Sequence, residues 1–589
     1  MQNLYSRIRQ LKVTGKLPKK DEINSIFNTF SKKERVVFIV LLFTFFISTI
    51  IILENINKSL MVSVPLHGGS ISEGIIGTPR FINPVLANSP TDLDLVSLIY
   101  SGLMRKNQDG TLSPDLAEKY EMSNDGLTYK FTLKDKIYFQ DGKPVTVDDI
   151  IFTINEIKDP IIKSPKKVDF DGVSATRIDD KTIEFSLKKP YPSFLESLTL
   201  GIMPQHLWDN SSIELNDANI FPIGSGPYSV KNVAKQSSGV IDSYELESFN
   251  KFILGEPYIE DVNLYFYLNE NDLIRALEDG KVEQISSITP LNADILKERN
   301  YQIESAVLPR VFGLFFNQNK NILFTDNVIT KAIDKTIDKD KIVREVLFGY
   351  GVATDDPIPP NMIAYQKLSA ENNLSRDLIL QNVQNSLAKD GWSKGPDGFL
   401  QKTIVGKNKK KTTTTLEFSI STGNAEELTK TAEIIKQDLS KIGMKVDIKT
   451  FEIGNLNQSV IRPRDYDTLL FGQIINHESD LFAFWHSSQR KDPGLNVALY
   501  ANAKVDKILE DAAITVNEKN RIKKYAQFED EIKKDMPAVF LYSPNFIYVI
   551  SKDLKGFSIN HLISPADRFL NIYSWYIKTE NVWEIFTKK

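Results

Sequence analysis

Residues 36–53 read VVFIVLLFTFFISTIIIL, an apolar run with no charge and no polar face. As a helix rising about 1.5 Å per residue it spans roughly 27 Å, close to the hydrocarbon thickness of a bilayer, so the pattern predicts one transmembrane helix. A buried core helix is the alternative, and the missing polar face speaks against it. No second run of this kind follows, so the chain does not read as a channel or permease. Residues 54–67 read as a polar linker, after which Gly68-Gly69 opens roughly 520 residues expected to form one ectodomain.

Past that point the periodicity alternates between two and three-to-four. Between Asp109 and Val147 three Asp-Gly pairs, at Asp109, Asp125 and Asp141, punctuate apolar alternation. Tyr129, Phe131 and Leu133 fall on one side of a predicted strand, and the stretch reads as a small antiparallel sheet with tight reversals. Thr146 with Asp149 has the spacing of a capping box, and Ile150, Ile151, Ile154 and Ile157 then recur at helical spacing. Farther on, Leu428, Ala432, Ile435, Leu439 and Ile442 predict a helix that Gly443 ends, followed by a strand through Met444, Val446 and Ile448. The Lys/Thr tract 407–415 reads as a solvated hairpin tip or loop. No tandem repeat is visible, so a solenoid or propeller is not expected.

Charge adds an orientation. The 35 residues before the apolar run carry nine Lys or Arg against three acids, and Lys32, Lys33 and Arg35 abut it, which places the N-terminus in the cytoplasm and the bulk of the chain outside. A cleaved signal peptide is the competing reading, but Glu54-Asn55-Ile56-Asn57 offers no small-residue cleavage site. The formal net charge of -4 gives no basic face for nucleic acid. Cysteine is absent, which removes disulfides, thiolate metal sites and tethering by a lipidated cysteine together.

Local catalytic motifs are also missing. His477-Glu478 begins a zinc-protease pattern, yet Leu481 stands where its second histidine belongs. Neither a G-x-S-x-G elbow nor a phosphate-cradling loop occurs. Gly224 to Tyr228 resembles a phosphate loop, but Pro227 removes an amide donor and a structural turn fits better. No enzyme activity, cofactor or metal is implied.

Several segments, taken in order, resemble the family 5 extracellular solute-binding proteins, the peptide-binding receptors of ABC importers. They are Ile82-Asn83-Pro84-Val85, Leu98 to Leu103, Pro114-Asp115-Leu116-Ala117, Phe139 to Val145, Met203 to Trp208, Gly224 to Tyr228, Ala332 to Lys335, Gly391-Trp392 and Ile442-Gly443. Tyr500 and Val505-Asp506, ahead of Arg521, complete the series. The resemblance implies an α/β, two-lobed periplasmic-binding-protein-like fold of type II, in the three-domain peptide-binding class, here preceded by one N-terminal transmembrane helix. Carried over, domain I comprises 68–97, 200–308 and 541–589, domain II 98–199 and domain III 309–540, with residues 1–35 cytoplasmic and 36–53 in the lipid bilayer.

The resemblance also implies an interlobe cleft and ligand-binding residues. Asn88, Ser89 and Pro90 correspond to one wall; Phe471, Gly472 and Gln473 lie on the strand 468–475 that forms another, followed by Asn476, Glu478 and Asp480. Where relatives carry an aspartate for a peptide ammonium, this chain has Ile475 or Asn476, with Glu478 or Asp480 as substitutes. Glu478 reads either as a cation anchor or as a solvated loop carboxylate; Trp485 as a pocket wall or as core; Arg310 as a partner for a ligand carboxylate or as a hinge salt bridge. Tyr542 is expected on the second crossing strand. The expected function is capture of a peptide or similar extended solute by a monomeric, anchored ectodomain and delivery to ABC permease subunits. A sensor built on the same fold, and an external hydrolase, are the rivals.

Overall fold

The computed structural model describes residues 27–208, 212–360, 362, 375–405 and 411–587, with backbone alone at 404 and 405. Chain contacts divide it into two compact units, one from the described parts of Met1–Leu66 and Lys578–Lys589, the other His67–Ile577.

In the first unit the apolar run lies inside a longer helix, Lys32–Leu60, none of whose residues is buried. Ser31 and Glu34 form a capping box that starts it ahead of the apolar run. A Glu54–Lys58 pair at 2.9 Å, four residues apart, extends it past Leu53. Among the described residues it is the one helix long and apolar enough to cross a membrane. The chain then enters a strand, Met61–Pro65, that pairs antiparallel with Thr579–Trp583. Residues 579–583, expected with domain I, thus belong to a ladder with the stretch expected to be a linker. Alternation explains the pairing: Val62 stands opposite Val582 on one face of a short two-stranded ribbon.

The second unit is organised by a twelve-stranded mixed sheet. Its continuity depends on one strand, Ala538–Ile550, buried along almost its whole length. The first part pairs with Arg310–Phe316 and Gly351–Ala353; the second pairs with Gln302–Val307 and Gln284–Ser286. On one flank the sheet runs on through Thr468–Ile474, Glu417–Gly423 and Lys445–Phe451, and on the other through Ser70–Ile76, Asp261–Tyr267, Ile241–Ser248 and Tyr228–Lys235. The chain passes between the two flanks twice, at Leu308-Pro309 and within the long strand.

The Asp-Gly stretch folds as the pattern implies. Ala117–Met122, Thr128–Leu133, Thr182–Leu187 and Val173–Arg177 form a four-stranded antiparallel sheet, with Tyr129, Phe131 and Leu133 buried on one face. Asp125 accepts from the Leu127 amide at 3.0 Å to close one reversal. Thr146 caps the helix Val147–Lys158 in a box with Asp149, and Ile150, Ile154 and Ile157 are buried along it. Glu426–Lys441 ends at Gly443, whose φ of 87° suits a left-handed stop, and leads into Lys445–Phe451, parallel to Glu417–Gly423. In the Lys/Thr tract Lys411–Thr415 is a hairpin strand paired with Leu400–Val405; residues 407–410 lie outside the described residues. Gly224 packs so closely that a Cβ would meet the Ile99 carbonyl oxygen at 2.1 Å, a structural turn as expected.

One buried charge cluster ties residues distant in sequence. The Arg568 guanidinium, wholly buried, donates to Glu73 at 2.7 and 3.0 Å and to Asp94 at 2.7 and 2.8 Å. Burial alone would favour the neutral guanidine, but Asp94 and Glu73 more than offset it and hold the charge.

Candidate functional site

The Thr468–Ile474 strand brings the predicted cleft residues to the crossing because it pairs with Arg310–Phe316 in register: Gln473 faces Val311, Gly472 faces Phe312 and Phe471 faces Gly313. Gly472 leaves room for an aromatic ring, since a Cβ there would lie 2.8 Å from Phe312. Phe312 stacks in turn on Tyr542 of the long strand, with centroids 5.0 Å apart and planes at 16°. Tyr542 is buried, and desolvation lifts its phenol well above the usual range.

After the strand, Asp480 folds the following segment back on itself by accepting from the Asn476 and His477 amides at 2.8 and 3.0 Å. The turn presents Asn476, exposed, and His477 toward Glu196 on the short helix Phe194–Ser197. His477 Nδ1 lies 2.5 Å from Glu196 Oε2, joining segments 281 positions apart. Burial pulls the imidazole down, but the Glu196 hydrogen bond and charge, with Asp480 and Asp169, outweigh it and hold its pKa above 6.5. Tyr191, on the Glu196 side, is pushed up to about 12, mainly by burial.

Two cavities meet at this contact. One, of about 320 Å³, is lined by Lys106, Asp109 and Glu196, by Asn476, His477, Glu478 and Glu518, and by His561. Another, of about 360 Å³, shares Lys106, Glu196, Asn476 and His477 and adds Asp115 and Asp169. Both volumes fall in the range of small-molecule pockets, roughly 300–1,000 Å³. Asp115 is pushed up to about 6 by burial, with Lys134 and Arg105 opposing. Burial likewise raises Asp169, against the opposing effect of His477. The first cavity sets four carboxylates against one lysine, an arrangement that favours a cationic group. Among the described residues no cluster of three or more His, Asp or Glu is placed to hold a metal.

The remaining predicted residues separate into four groups. Asn476 and Glu478 line a cavity, but Glu478 is already paired: Arg521 Nε donates to it at 2.5 Å, and burial, partly offset by Arg521, raises its carboxyl. Ser89 caps the helix Pro90–Ile99 through the Asp92 amide at 3.1 Å, with Pro90 as its first residue and Asn88 exposed before it; the cavities reach Ala87 but none of these three. Trp485 and Gln473 are buried, Trp485 edge-on to Tyr500, Phe528 and Phe540 within an apolar cluster. Arg310, half-buried at the crossing, has no carboxylate partner among the described residues, and burial lowers its pKa. Sequence reasoning missed Glu196, Lys106, Asp109, Asp169 and Glu518, and had His477 in the segment 476–480 after the cleft strand and as a broken zinc motif, with no binding role.

The arrangement offers fixed charges, stacked aromatics and two crossing points. Comparison with known proteins agrees with it. The profile of bacterial extracellular solute-binding proteins, family 5 (middle), matches residues 111–493, more than half of the chain. The oligopeptide-binding protein AppA of Bacillus subtilis is 26% identical over 534 residues, covering 89% of this chain and 94% of that protein. Its structure in complex with a nonapeptide superposes with a TM-score of 0.64 over 87% of this chain and 100% of that one. The nickel-binding protein NikA of Staphylococcus aureus is 23% identical over 533 residues, covering 88% of this chain and 94% of that protein. The chain belongs to the bacterial extracellular solute-binding proteins of family 5.

Proposed function

We propose that this chain is a membrane-anchored receptor that captures a peptide, or a similarly extended small solute, between two lobes and delivers it to the permease of an ABC importer, with no chemistry of its own. The lobes are domain I (68–97, 200–308 and 541–577) with domain II (98–199), against domain III (309–540), hinged at Leu308-Pro309 and within Ala538–Ile550. Residues 36–53 anchor it, with the N-terminus cytoplasmic and the large unit outside.

The observation that carries this reading is Arg310. A half-buried guanidinium with no acidic partner among the described residues is costly at the crossing unless something else supplies the anion, and a ligand carboxylate fits its fork. The carboxylate-rich cavity beside Glu196 and His477 would meet the opposite end of such a ligand. Main-chain groups along Phe471, Gly472 and Gln473 would pair with an extended backbone as with an added strand, which tolerates varied side chains. That combination suits peptides better than a compact solute, and AppA's nonapeptide complex supports the same class.

The test is ligand-induced stabilisation of the full chain in detergent or nanodiscs. Peptide pools should raise its melting temperature, because ligand binding to the folded state stabilises by mass action. Mass spectrometry of material released on denaturation should identify the cargo. Failure of every peptide, sugar and metal pool to shift the melt, with no small molecule released, overturns the proposal.

A further inference from the structure

The first unit ends in an apolar group that is left exposed among the described residues. Trp583 is 43% exposed, Ile585 77% and Phe586 72%, beside Ile56 at 49% and Leu60 at 50% on the helix. Contacts within the unit hold it in place. Trp583 Nε1 donates to Asn57 Oδ1 at 2.7 Å, Trp583 pairs with Met61 in the ladder, and its ring stacks on Phe586 with centroids 6.4 Å apart.

Its position along the helix is informative. Asn57 lies four residues beyond Leu53, the last residue of the apolar run, so the hydrogen bond fixes the indole about 6 Å along the axis from that run's end. Tryptophan concentrates at this depth in membranes, its ring against acyl chains and its N–H among polar groups. Polarity along the ladder has the same direction. The apolar pairs Met61–Trp583 and Val62–Val582 lie nearest the helix, whereas each of the next three pairs brings in a polar side chain: Ser63 with Asn581, Glu580 opposite Val64 and Thr579 opposite Pro65. Exposed apolar side chains thus run from the helix, through Ile56 and Leu60, to the first pair of the ladder at Trp583.

We infer that Trp583, Ile585 and Phe586 form a second membrane contact, seated in the interface of the outer leaflet and clamped to the transmembrane helix by the Trp583–Asn57 hydrogen bond. This rests on the anchor reading above. The occupant is lipid, by continuity with the helix's own apolar surface; a second copy or a partner protein covering the same group would exclude lipid from it.

Tryptophan fluorescence can isolate the contact, because Trp208, Trp392, Trp485 and Trp575 are all buried in the other unit and Trp583 alone is exposed. The full chain is reconstituted into phosphatidylcholine vesicles carrying lipids brominated near the headgroup or near the acyl terminus, with W583F as reference. The expected result is quenching by the shallow label, weaker quenching by the deep label, and loss of the shallow component in W583F. Retention through alkaline washing reports the helix separately. Retained protein whose Trp583 is not quenched, whether bare to water or covered by protein, overturns the interfacial contact and leaves the anchor standing. Protein removed by alkali overturns both.

Discussion

His477 Nδ1 and Glu196 Oε2 stand 2.5 Å apart across a chain separation of 281 residues, each beside the cavities that separate their segments. Glu196 follows the four-stranded sheet; His477 follows the strand that pairs with the crossing at Arg310. Under the proposed two-lobed closure, the contact would exist only while the two parts of the cleft are together.

Closure as proposed is then proton-linked. The imidazole gains its partner on closing and its pKa rises above 6.5, so the stabilisation is complete below 6.5 and is lost as pH rises through the elevated value. Ligand dissociation should accelerate as pH is raised from about 6 toward 8, followed by stopped-flow fluorescence. H477Q should flatten that dependence. An unchanged pH profile in H477Q would show that other groups set it.

Removing Arg568 leaves Glu73 and Asp94 facing each other without a cation. R568M should destabilise the large unit by about 3–5 kcal/mol, read from urea unfolding, because breaking a buried pair strands uncompensated charge. The triple change R568M/E73M/D94L should recover much of that loss.

Gly472 is fixed by the ring above it. G472A places a methyl 2.8 Å from Phe312 and displaces the Phe312–Tyr542 stack, at a cost of about 1–3 kcal/mol in thermal unfolding. A neutral result would mean that the strand gives way more easily than its pairing suggests.

R310M separates binding from folding. With no acidic partner among the described residues to strand, the variant should melt within about 1 kcal/mol of the parent, yet lose at least tenfold in affinity for a peptide with a free carboxylate. Isothermal titration with the same peptide amidated at its C-terminus should show little difference between the two proteins.

Much of the fold is legible because it is written locally. Tyr129, Phe131 and Leu133 alternate, Thr146 and Asp149 have capping spacing, and Gly443 follows a run at helical period; each signal fits within about a dozen residues. The cleft is another matter. Glu196 meets His477, and Glu478 meets Arg521 rather than open solvent, through contacts that no window along the chain contains. Val62 and Val582 illustrate the same limit: five strand pairs link segments more than 500 residues apart, and nothing near either end announces the other.

That ladder also governs how the large unit would part from its stem. Its chain enters after Leu66 and leaves before Lys578, so both ends converge on one ribbon. A protease cutting between residues 577 and 578 leaves the covalent link through Leu66 untouched. Cutting between 66 and 67 leaves residues 579–583 joined to the helix's chain by five residue pairs and by the Trp583–Asn57 hydrogen bond. A two-stranded ribbon is only marginally stable in water, so shedding after that cut becomes a matter of strand dissociation and its rate, not of peptide-bond cleavage alone.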